Sequence, residues 1–361
     1  MSLQPILKVV ASDGCRAYLI ACPETRECLL LDPKHGQQAL YEMLLDAYDL
    51  KLAAVMDTHT HADHLSGSAG LIRTGVPLWM SSATGVTRQK RGLEHGEQVA
   101  VGELRFEALS VPGHTQDSMA LYGHGMIATG DSLFIGGLAR ADFRGSDAAQ
   151  LFESVQTRIM TLPEDTLVLP GHEYCDIQFS TVGCEGELNE ALKAADGSAY
   201  AAQLCVVDGA GNSEAVDQNL ELNLAADPTL PDTPGVAAAC CAGPSGPSTF
   251  GEVDEVPIAD AHAQHDALTS PDQWVDVRDP YEYKHGHIPG TTNVPLSELG
   301  FHLRELQTSE PLYISCRSGV RSMTAAKTLR RLGIVSKPIN VGGGILAWQD
   351  SGYAIDGSPS T

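Results

Sequence analysis

His59-Thr60-His61-Ala62-Asp63-His64 brings three imidazoles and one carboxylate together within six residues, shortly after an apolar run at 52–56. A short apolar run of this kind predicts a buried strand. Three further groups follow a predicted strand in the same way: Pro112-Gly113-His114, Gly130-Asp131 and Pro170-Gly171-His172. Ligands that converge on one ion must be held by a rigid scaffold, and strand ends provide one. The pattern therefore predicts a metal site at the ends of several strands.

The rest of the first 180 residues consists of short apolar runs separated by turns. Asp13-Gly14 and Gly123-His124-Gly125 are typical of tight turns between antiparallel strands. Strands are predicted over 6–10, 17–21, 28–31, 52–56, 104–111, 119–122, 126–129 and 166–169, and helices over 37–48 and 151–161. The N-terminal part of the chain is therefore predicted to be rich in strands, with few helices.

The composition limits the partners that the protein can have. Its 361 residues include 46 Asp and Glu against 23 Lys and Arg, which gives a formal charge of −23. So negative a surface repels nucleic acids and anionic membranes, and we expect neither as a partner. No stretch approaches the roughly 20 apolar residues of a membrane helix. The first residues lack the basic and apolar segments of a signal peptide, so we expect none.

The nine cysteines are scattered and odd in number, and none forms a Cys-x-x-Cys pair. A chain of this length can bury sufficient cores without disulfide bonds. We therefore expect free thiols and a reducing, cytoplasmic location. Eight of the nine are expected to be ordinary free cysteines. Cys316 differs from them because its flanking residues can activate a thiol.

Length and composition together predict two domains, since single hydrophobic cores stop growing at roughly 250–300 residues. No Lys or Arg occurs between Lys193 and Arg278, and the stretch 197–255 is rich in Gly, Pro and Ser. Such a composition favours a linker over a packed core, although a short helix is predicted at 217–224. We predict an N-terminal domain over 1–232, an acidic linker over 233–255 and a C-terminal domain over 256–361.

The C-terminal domain alternates strands with helices. Strands are predicted over 274–277, 311–315 and 339–341, and a helix over 323–332. This alternation predicts a parallel α/β domain. Cys316-Arg317-Ser318-Gly319-Val320-Arg321 lies between a strand and that helix. The backbone N–H groups of such a loop, the helix N-terminus and the two arginine charges favour a thiolate at Cys316, the form that attacks sulfur.

His-x-His-x-Asp-His, followed by a Gly-His, a Gly-Asp and a second Gly-His, resembles the metallo-β-lactamase superfamily over about residues 1–200. The resemblance implies an αββα sandwich with a metal site along one edge of its two sheets. Members resembling glyoxalase II bind two metal ions, which activate water against a thioester. The matching residues here are His59, His61 and His114 for the first ion, Asp63, His64 and His172 for the second, and Asp131 as a bridge.

Members resembling persulfide dioxygenases instead hold one Fe(II) on the residues that match His59, His114 and Asp131. Two histidines and one carboxylate leave positions for O₂ and a sulfur ligand. All seven residues are present, so both one Fe(II) and two Zn(II) remain open. The flanking sequence favours the dioxygenases, because Arg140-Ala141-Asp142-Phe143 and Ser180-Thr181-Val182-Gly183 are similar to theirs. Arg140 matches an arginine implicated in glutathione binding, whereas Gly136 and Ala139 depart from the family pattern.

The C-terminal domain resembles a rhodanese over about residues 256–357. The resemblance extends to three further segments: Asp276-Val277-Arg278-Asp279-Pro280, Gly286-His287-Ile288-Pro289-Gly290 and Gly342-Gly343-Gly344. A six-residue loop, here from Cys316 to Arg321, is associated in this family with sulfane-sulfur transfer. The resemblance implies that Cys316, supported by Arg317 and Arg321, accepts sulfur as a persulfide and passes it to an acceptor.

Together, the two resemblances imply a bifunctional enzyme of sulfur metabolism with an α/β fold in both domains. One domain would use O₂ to oxidise glutathione persulfide to sulfite and glutathione, and the other would exchange sulfur with thiosulfate. The alternatives are a two-metal thioester hydrolase joined to a sulfurtransferase, or a non-catalytic persulfide sensor or carrier. The expected partners are these small molecules, and the sequence is compatible with a homo-oligomer.

Overall fold

A computed structural model of the chain describes residues 3–72, 75–88, 90–173, 176–204, 214–225, 252–265 and 273–357. These residues form two compact units, the first comprising 3–173 and 181–225, the second 176–180 and 252–357. Residues 233–251 of the predicted linker (233–255) lie outside the described residues. The predicted domain boundaries therefore stay a prediction. No helix within the described ranges is long and apolar enough to cross a membrane.

The first sheet of the N-terminal unit has six strands in sequence order. They are β1 (Ile6–Ser12), β2 (Cys15–Ala21), β3 (Glu27–Leu31), β4 (Lys51–Met56), β5 (Leu78–Ser81) and β6 (Arg91–Leu93). The first three strands pair antiparallel and the others pair parallel. Asp13 and Gly14 join β1 to β2 with φ angles of 52° and 83°, as a two-residue hairpin turn requires. The predicted hairpin is confirmed.

The second sheet supplies the remaining strands of the N-terminal unit. Its strands are β7 (Glu97–Val101), β8 (Leu104–Ser110), β9 (Met119–Gly123), β10 (Met126–Gly130), β13 (Leu167–Pro170) and β14 (Ser180–Thr181), and a separate hairpin contains β11 (Leu133–Phe134) and β12 (Gly137–Leu138). The order across the sheet is β14-β13-β10-β9-β8-β7. Strands β7 to β10 pair antiparallel, and β13 adds to β10 in parallel. His124 and Gly125 form the turn between β9 and β10, as predicted.

Helices cover the outer faces of both sheets. They are α1 (Gln38–Ala47), α2 (Ser68–Leu71), α3 (Ala148–Ser154), α4 (Val182–Leu188), α5 (Gly197–Leu204) and α6 (Glu214–Leu224). Tyr41 of α1 packs with Leu19 and Leu30 of the first sheet. Leu151 of α3 packs with Ile127 of the second sheet. Every residue of β2 after the first is buried, so both faces of this strand are covered. The predicted αββα sandwich is confirmed.

The C-terminal unit is built on one five-stranded sheet. Its strands are β15 (Asp254–Val256), β16 (Trp274–Asp276), β17 (Thr292–Asn293), β18 (Thr308–Ser315) and β19 (Val335–Val341), and its helices are α7 (Ile258–His265), α8 (Pro280–Lys284), α9 (Leu303–Leu306), α10 (Val320–Arg331) and α11 (Gly344–Asp350). The order is β15-β19-β18-β16-β17, and these strands pair parallel, as predicted. Residues 254 and 255 of the predicted linker pair with β19.

Candidate metal centre and sulfur-transfer site

The predicted metal ligands follow strands of the sandwich. Residues 57–64 follow β4 directly, and Asp131 follows β10. Seven side chains are buried, with exposed fractions from 1% to 6%: His59, His61, Asp63, His64, His114, Asp131 and His172. Burying ionisable groups costs free energy unless they bind one another or a cation. The structure brings these seven residues together, in adjoining groups that could each hold a metal ion.

The first group contains His59, His114 and Asp131, whose donor atoms lie within 4.8 Å of one another. Asp131 Oδ2 is 3.9 Å from Nε2 of His59 and 3.7 Å from Nε2 of His114. An ion about 2.1 Å from each donor would separate the donors by about 3.0–3.6 Å. Asp131 Oδ2 and His59 Nε2 are buried without a hydrogen-bond partner. Buried polar atoms are normally paired, so these two fit a bound cation.

Hydrogen bonds orient both histidines of this group. Nδ1 of His59 is 2.9 Å from the hydroxyl of Thr58, and that hydroxyl donates to Asp32 at 2.9 Å. Nδ1 of His114 donates to the carbonyl oxygen of Arg140 at 2.8 Å. Burial lowers the pKa of both imidazoles, which favours the neutral form that binds metal. In each ring Nδ1 is engaged, which leaves Nε2 as the ligand atom.

His172 links the first group to a second one. It donates from Nδ1 to Asp131 Oδ1 and from Nε2 to Asp63 Oδ2, both at 2.8 Å. His64 also donates to Asp63 Oδ2, at 2.9 Å. Burial opposes a charged imidazole, but the two carboxylates outweigh it and raise the pKa of His172 well above its usual value. Asp63, His64 and His172 are therefore joined to one another by hydrogen bonds.

His61 belongs to a different donor group, although its ring centre is 4.3 Å from that of His59. Its Nε2 is 3.4 Å from Asp32 Oδ1 and 4.0 Å from Asp57 Oδ1, and these three residues form a donor group of their own. Neither ring nitrogen of His61 has a hydrogen-bond partner. In the two-metal alternative His61 would join His59 and His114, and the structure does not place its donor atom in that group.

Cys15 is a residue of this centre that the sequence analysis treated as ordinary. Its Sγ lies 3.5 Å from Asp63 Oδ2 and 4.0 Å from His64 Nδ1, and it belongs to one donor group with these residues and His172. Burial opposes the thiolate, but hydrogen bonding to His172 and His64 lowers the pKa of Cys15 to about 7. Asp32 and Asp57 were also missed, although each directly follows a strand as the predicted ligands do.

The loop at Cys316 begins where β18 ends and leads into α10. Cys316 is 1% exposed, and its Sγ accepts hydrogen bonds from the backbone N–H of Gly319 at 3.1 Å and the hydroxyl of Ser322 at 3.4 Å. Gly319 has a φ of 96°, a backbone conformation that favours glycine. These two donors can stabilise a thiolate. Ser322 lies one residue beyond the six-residue loop and was not predicted.

The two arginines of the loop have different surroundings. Arg317 is exposed. Arg321 forms two hydrogen bonds to the carboxylate of Glu282, at 2.6 and 2.8 Å. These bonds raise the pKa of Arg321 and lower the pKa of Glu282. Arg321 is thus held in place by a carboxylate from α8, a partner that the sequence analysis did not identify.

Comparisons with known proteins agree with both halves of this description. The Metallo-beta-lactamase superfamily model matches residues 12–172, and the Rhodanese-like domain model matches 260–351. The mitochondrial persulfide dioxygenase ETHE1 of Homo sapiens is 36% identical over 179 residues, which cover 48% of this chain and 70% of that protein. The chain belongs to the metallo-β-lactamase superfamily. Its second half contains a rhodanese-like domain.

Relatives of the metallo-β-lactamase domain have more than one activity. A hydroxyacylglutathione hydrolase of Polaromonas sp. is 34% identical over 166 residues, covering 44% of this chain and 62% of that protein. The crystal structure of ETHE1 from Myxococcus xanthus is 30% identical, with a TM-score of 0.58, and covers 61% of this chain and 98% of that one. Similarity alone therefore supports both the dioxygenase and the hydrolase interpretations.

Arg140, the predicted substrate-binding residue of the metallo-β-lactamase domain, is 7% exposed. Its Nε donates to Asp142 Oδ1 at 2.6 Å, and its guanidinium carbon is 5.9 Å from the centre of the Phe143 ring. Its backbone carbonyl orients His114, as described above. The residue therefore contacts a member of the first donor group through its main chain, and its role in substrate binding stays a prediction.

Helix α6 holds the loop that carries His59 to His64. Nδ2 of Asn223 donates to the carbonyls of His61 and His64, both at 2.8 Å, and its Oδ1 accepts from the N–H of Ser66 at 2.9 Å. Asn219, one turn earlier, donates to the carbonyl of Ala62 at 3.1 Å. The sequence predicts this helix, but neither asparagine was identified as functional. Their spacing of four residues, which places both on one helix face, is the available signal.

Proposed function

We propose that the chain is a cytoplasmic, bifunctional enzyme of sulfur metabolism. Its metallo-β-lactamase domain converts glutathione persulfide, O₂ and water into glutathione, sulfite and two protons, and it depends on one Fe(II). Its rhodanese-like domain moves sulfane sulfur between thiosulfate and glutathione persulfide. The scattered placement and odd number of the nine cysteines support the assignment to a reducing compartment.

The observation that carries the dioxygenase proposal is the separation of the donor groups. His59 Nε2 and Asp131 Oδ2, which share a donor group with His114, have no hydrogen-bond partner, whereas Asp63 is hydrogen-bonded to both His64 and His172. Two histidines and one carboxylate are the donor set of non-haem Fe(II) oxygenases. When bound there, Fe(II) supplies open positions at which O₂ and a persulfide sulfur can meet.

The residues of this chain bind and orient the reacting groups. Asp32 and Thr58 keep the ring of His59 in position, and the Arg140 carbonyl does the same for His114. The ring of Phe143 lies against that of His114, with 5.1 Å between the ring centres, and helps to exclude water from this side. Burial alone would raise the pKa of Asp131. The charge of His172 and its hydrogen bond to Asp131 outweigh burial and lower that pKa, so Asp131 stays an ionised carboxylate.

In the rhodanese-like domain, the Cys316 thiolate attacks the outer sulfur of thiosulfate. The S–S bond breaks, sulfite leaves with the electron pair, and a Cys316 persulfide forms. A glutathione thiolate then attacks the outer sulfur of that persulfide, which releases glutathione persulfide and restores the Cys316 thiolate. The reverse sequence uses sulfite from the first domain and gives thiosulfate. The donors at Gly319 and Ser322 stabilise the thiolate in both directions.

A two-metal hydrolase of glutathione thioesters is the second candidate. This candidate is favoured by the presence of all seven donor residues. It is also favoured by the 34% sequence identity with a hydroxyacylglutathione hydrolase. In that reaction the two ions would activate water against the thioester.

Oxygen uptake separates the two candidates. Protein loaded anaerobically with Fe(II) should consume O₂ and form sulfite when given glutathione persulfide, and Asp131→Asn should abolish this. Hydrolysis of S-lactoylglutathione without O₂ uptake would overturn the dioxygenase proposal.

Cys316→Ser should abolish transfer of sulfur from thiosulfate to cyanide but leave O₂ uptake intact, while Cys184→Ser serves as the matched control. Sulfur transfer that survives in Cys316→Ser would overturn the role of this cysteine.

A further inference from the structure

The hairpin of β11 and β12 lies between two residues that shape the first donor group. Asp131, a member of that group, comes shortly before the hairpin, and Arg140, whose carbonyl accepts from His114, comes shortly after it. Phe134 of β11 lies against the ring of His172, with 5.9 Å between the ring centres. A shift of this hairpin would therefore displace groups on both sides of the metal centre.

Apolar packing holds the strands of the hairpin but not its turn. Leu133 and Leu138 are fully buried and lie opposite each other in the two strands. The turn consists of Ile135 and Gly136, and Gly136 has a φ of 80°, which favours glycine. Gly136 and Gly137 have no side chain that could pack against the core. This part of the hairpin can be held only through its backbone N–H and C=O groups.

Two side chains at the end of α4 bind those backbone groups. The carboxylate of Glu185 accepts a hydrogen bond from the N–H of Gly136 at 2.7 Å. Nδ2 of Asn189, which directly follows α4, donates to the carbonyl of Gly137 at 3.2 Å and to Glu185 at 3.0 Å. Glu185 and Asn189 are four positions apart, so they lie on the same side of the helix. We refer to them as the turn-binding pair.

The turn-binding pair is fully buried, with an exposed fraction of 0% for both residues. Burying a carboxylate and an amide costs free energy unless they are hydrogen-bonded, and bonds to a charged group are the stronger ones. Asn189 is also held from its other side, because its Oδ1 accepts the N–H of Ala191 at 3.1 Å. Hydrogen bonds are directional, whereas apolar contact is not, so the pair can fix the path of the main chain at the turn.

We propose that Glu185 and Asn189 are positioning residues of the metal centre. By holding the turn, they fix the main chain on both sides of the hairpin. They thereby set the place of Asp131 as a ligand and of the Arg140 carbonyl that orients His114. This inference rests on the proposed function, in which the first donor group binds the iron. It assigns a role to two residues that do not contact the ion.

Asn189→Asp tests the pair with almost no change of shape. Oδ1 still accepts the N–H of Ala191, but an oxygen replaces the donor and faces the carbonyl of Gly137 and the carboxylate of Glu185. The affinity of the full-length protein for Fe(II), measured anaerobically by competition with a chromophoric chelator, should fall about 10- to 100-fold. Glu185→Ala should have an effect of the same size, about 10- to 100-fold. Glu185→Gln keeps an oxygen that can accept both hydrogen bonds and should lose no more than about fivefold.

Leu50→Ala is the control for a general loss of stability. Leu50 is buried in the core cluster of the first sheet, whereas the hairpin belongs to the cluster of the second sheet. Its replacement removes buried packing, so this variant should have a lower Tm than the wild type. Its Kd for Fe(II) should stay within about twofold of the wild-type value, because it acts at an independent site.

Co(II) in place of iron provides a second readout, since its visible absorption bands report the geometry of its ligands. Asn189→Asp and Glu185→Ala should change the position or intensity of these bands, and Leu50→Ala should leave them unchanged. Bands and Fe(II) affinities equal to those of the wild type would overturn the inference. An equal loss of affinity in Leu50→Ala would overturn it as well.

The two isosteric variants, Asn189→Asp and Glu185→Gln, keep the test valid should Glu185→Ala fail to fold. Neither readout depends on oxygen uptake, which keeps the result distinct from the fate of the proposed function. Wild-type protein that binds Fe(II) but consumes no O₂ with glutathione persulfide refutes the dioxygenase function. The metal affinities and Co(II) spectra then still decide whether Glu185 and Asn189 position the donors.

Discussion

Replacing Asn223 by alanine tests whether α6 holds the metal-ligand loop in place. Asn223 is 2% exposed, and its side-chain amide makes three hydrogen bonds to the backbone of that loop. Alanine would remove all three and leave two carbonyl groups and one N–H group without their partner. The residues concerned, 61–66, include His64 and adjoin His59.

The expected loss of stability follows from the number of groups left unpaired. A buried group without its partner costs about 1–3 kcal/mol. Water that enters the vacated space can satisfy part of the loss, so the total should be about 2–4 kcal/mol. For a domain of this size, 1 kcal/mol corresponds to a change in Tm of about 2–4 °C. Asn223→Ala should therefore lower the Tm of the metallo-β-lactamase domain by roughly 4–16 °C. Iron affinity should fall about 10- to 100-fold, as for other residues that orient metal ligands.

Differential scanning calorimetry and iron analysis after dialysis measure these two effects. Gln218→Ala provides the matched control, because Gln218 is exposed on the same helix and an exposed substitution changes stability by about 0.5 kcal/mol or less. Our reasoning is refuted if Asn223→Ala melts within 2 °C of that control, a limit of about 1 kcal/mol, and retains as much iron.

Two further substitutions test the backbone at the metal centre and the ion pair beside the sulfur-transfer loop. Gly113 precedes His114 and has a φ of 141°, and a Cβ there would lie 2.2 Å from the Cα of Leu151. Because this clash would displace the backbone beside His114, Gly113→Ala should abolish stable iron binding, measured by metal analysis. Gly125→Ala, also at positive φ but in open space, should retain iron, and equal retention by both would contradict this reason. Hydrogen bonding to Arg321 holds the pKa of Glu282 below 4.5, so the ion pair stabilises the rhodanese-like domain above that pH and is lost as the pH falls. Glu282→Gln should remove this contribution to the acid unfolding of the domain, measured by tryptophan fluorescence between about pH 3 and 6. A pH profile like that of the wild type would contradict this prediction.

Much of the fold and of the candidate metal centre was predictable because the signals are local. Turn pairs such as Asp13-Gly14 need only neighbouring residues to define a hairpin, and the structure has that hairpin. The groups around His59, His114 and Asp131 each follow a strand, and the ends of neighbouring strands lie close together at one edge of a sheet. Residue type and position along the strand were therefore sufficient to predict these three donors, but not Cys15, Asp32 and Asp57.

The contacts that sort these donors into groups depend on residues distant in the sequence. Asn223 binds His61 across 162 positions, and His172 binds Asp63 across 109. Helix α6 was predicted, but no periodicity reveals which loop its asparagines contact. The position of Cys15 beside Asp63 also follows only from the folding of β2 against the rest of the centre.

The sequence alone predicted a metal centre and a reactive cysteine, since a motif of six residues indicates each of them. Only the tertiary structure decided that His61 faces Asp32 and Asp57, and that His172 donates to Asp131. The physical reason is that the orientation of a buried imidazole depends on its hydrogen-bond partners. Those partners come from separate strands, which only the folded chain brings within bonding distance.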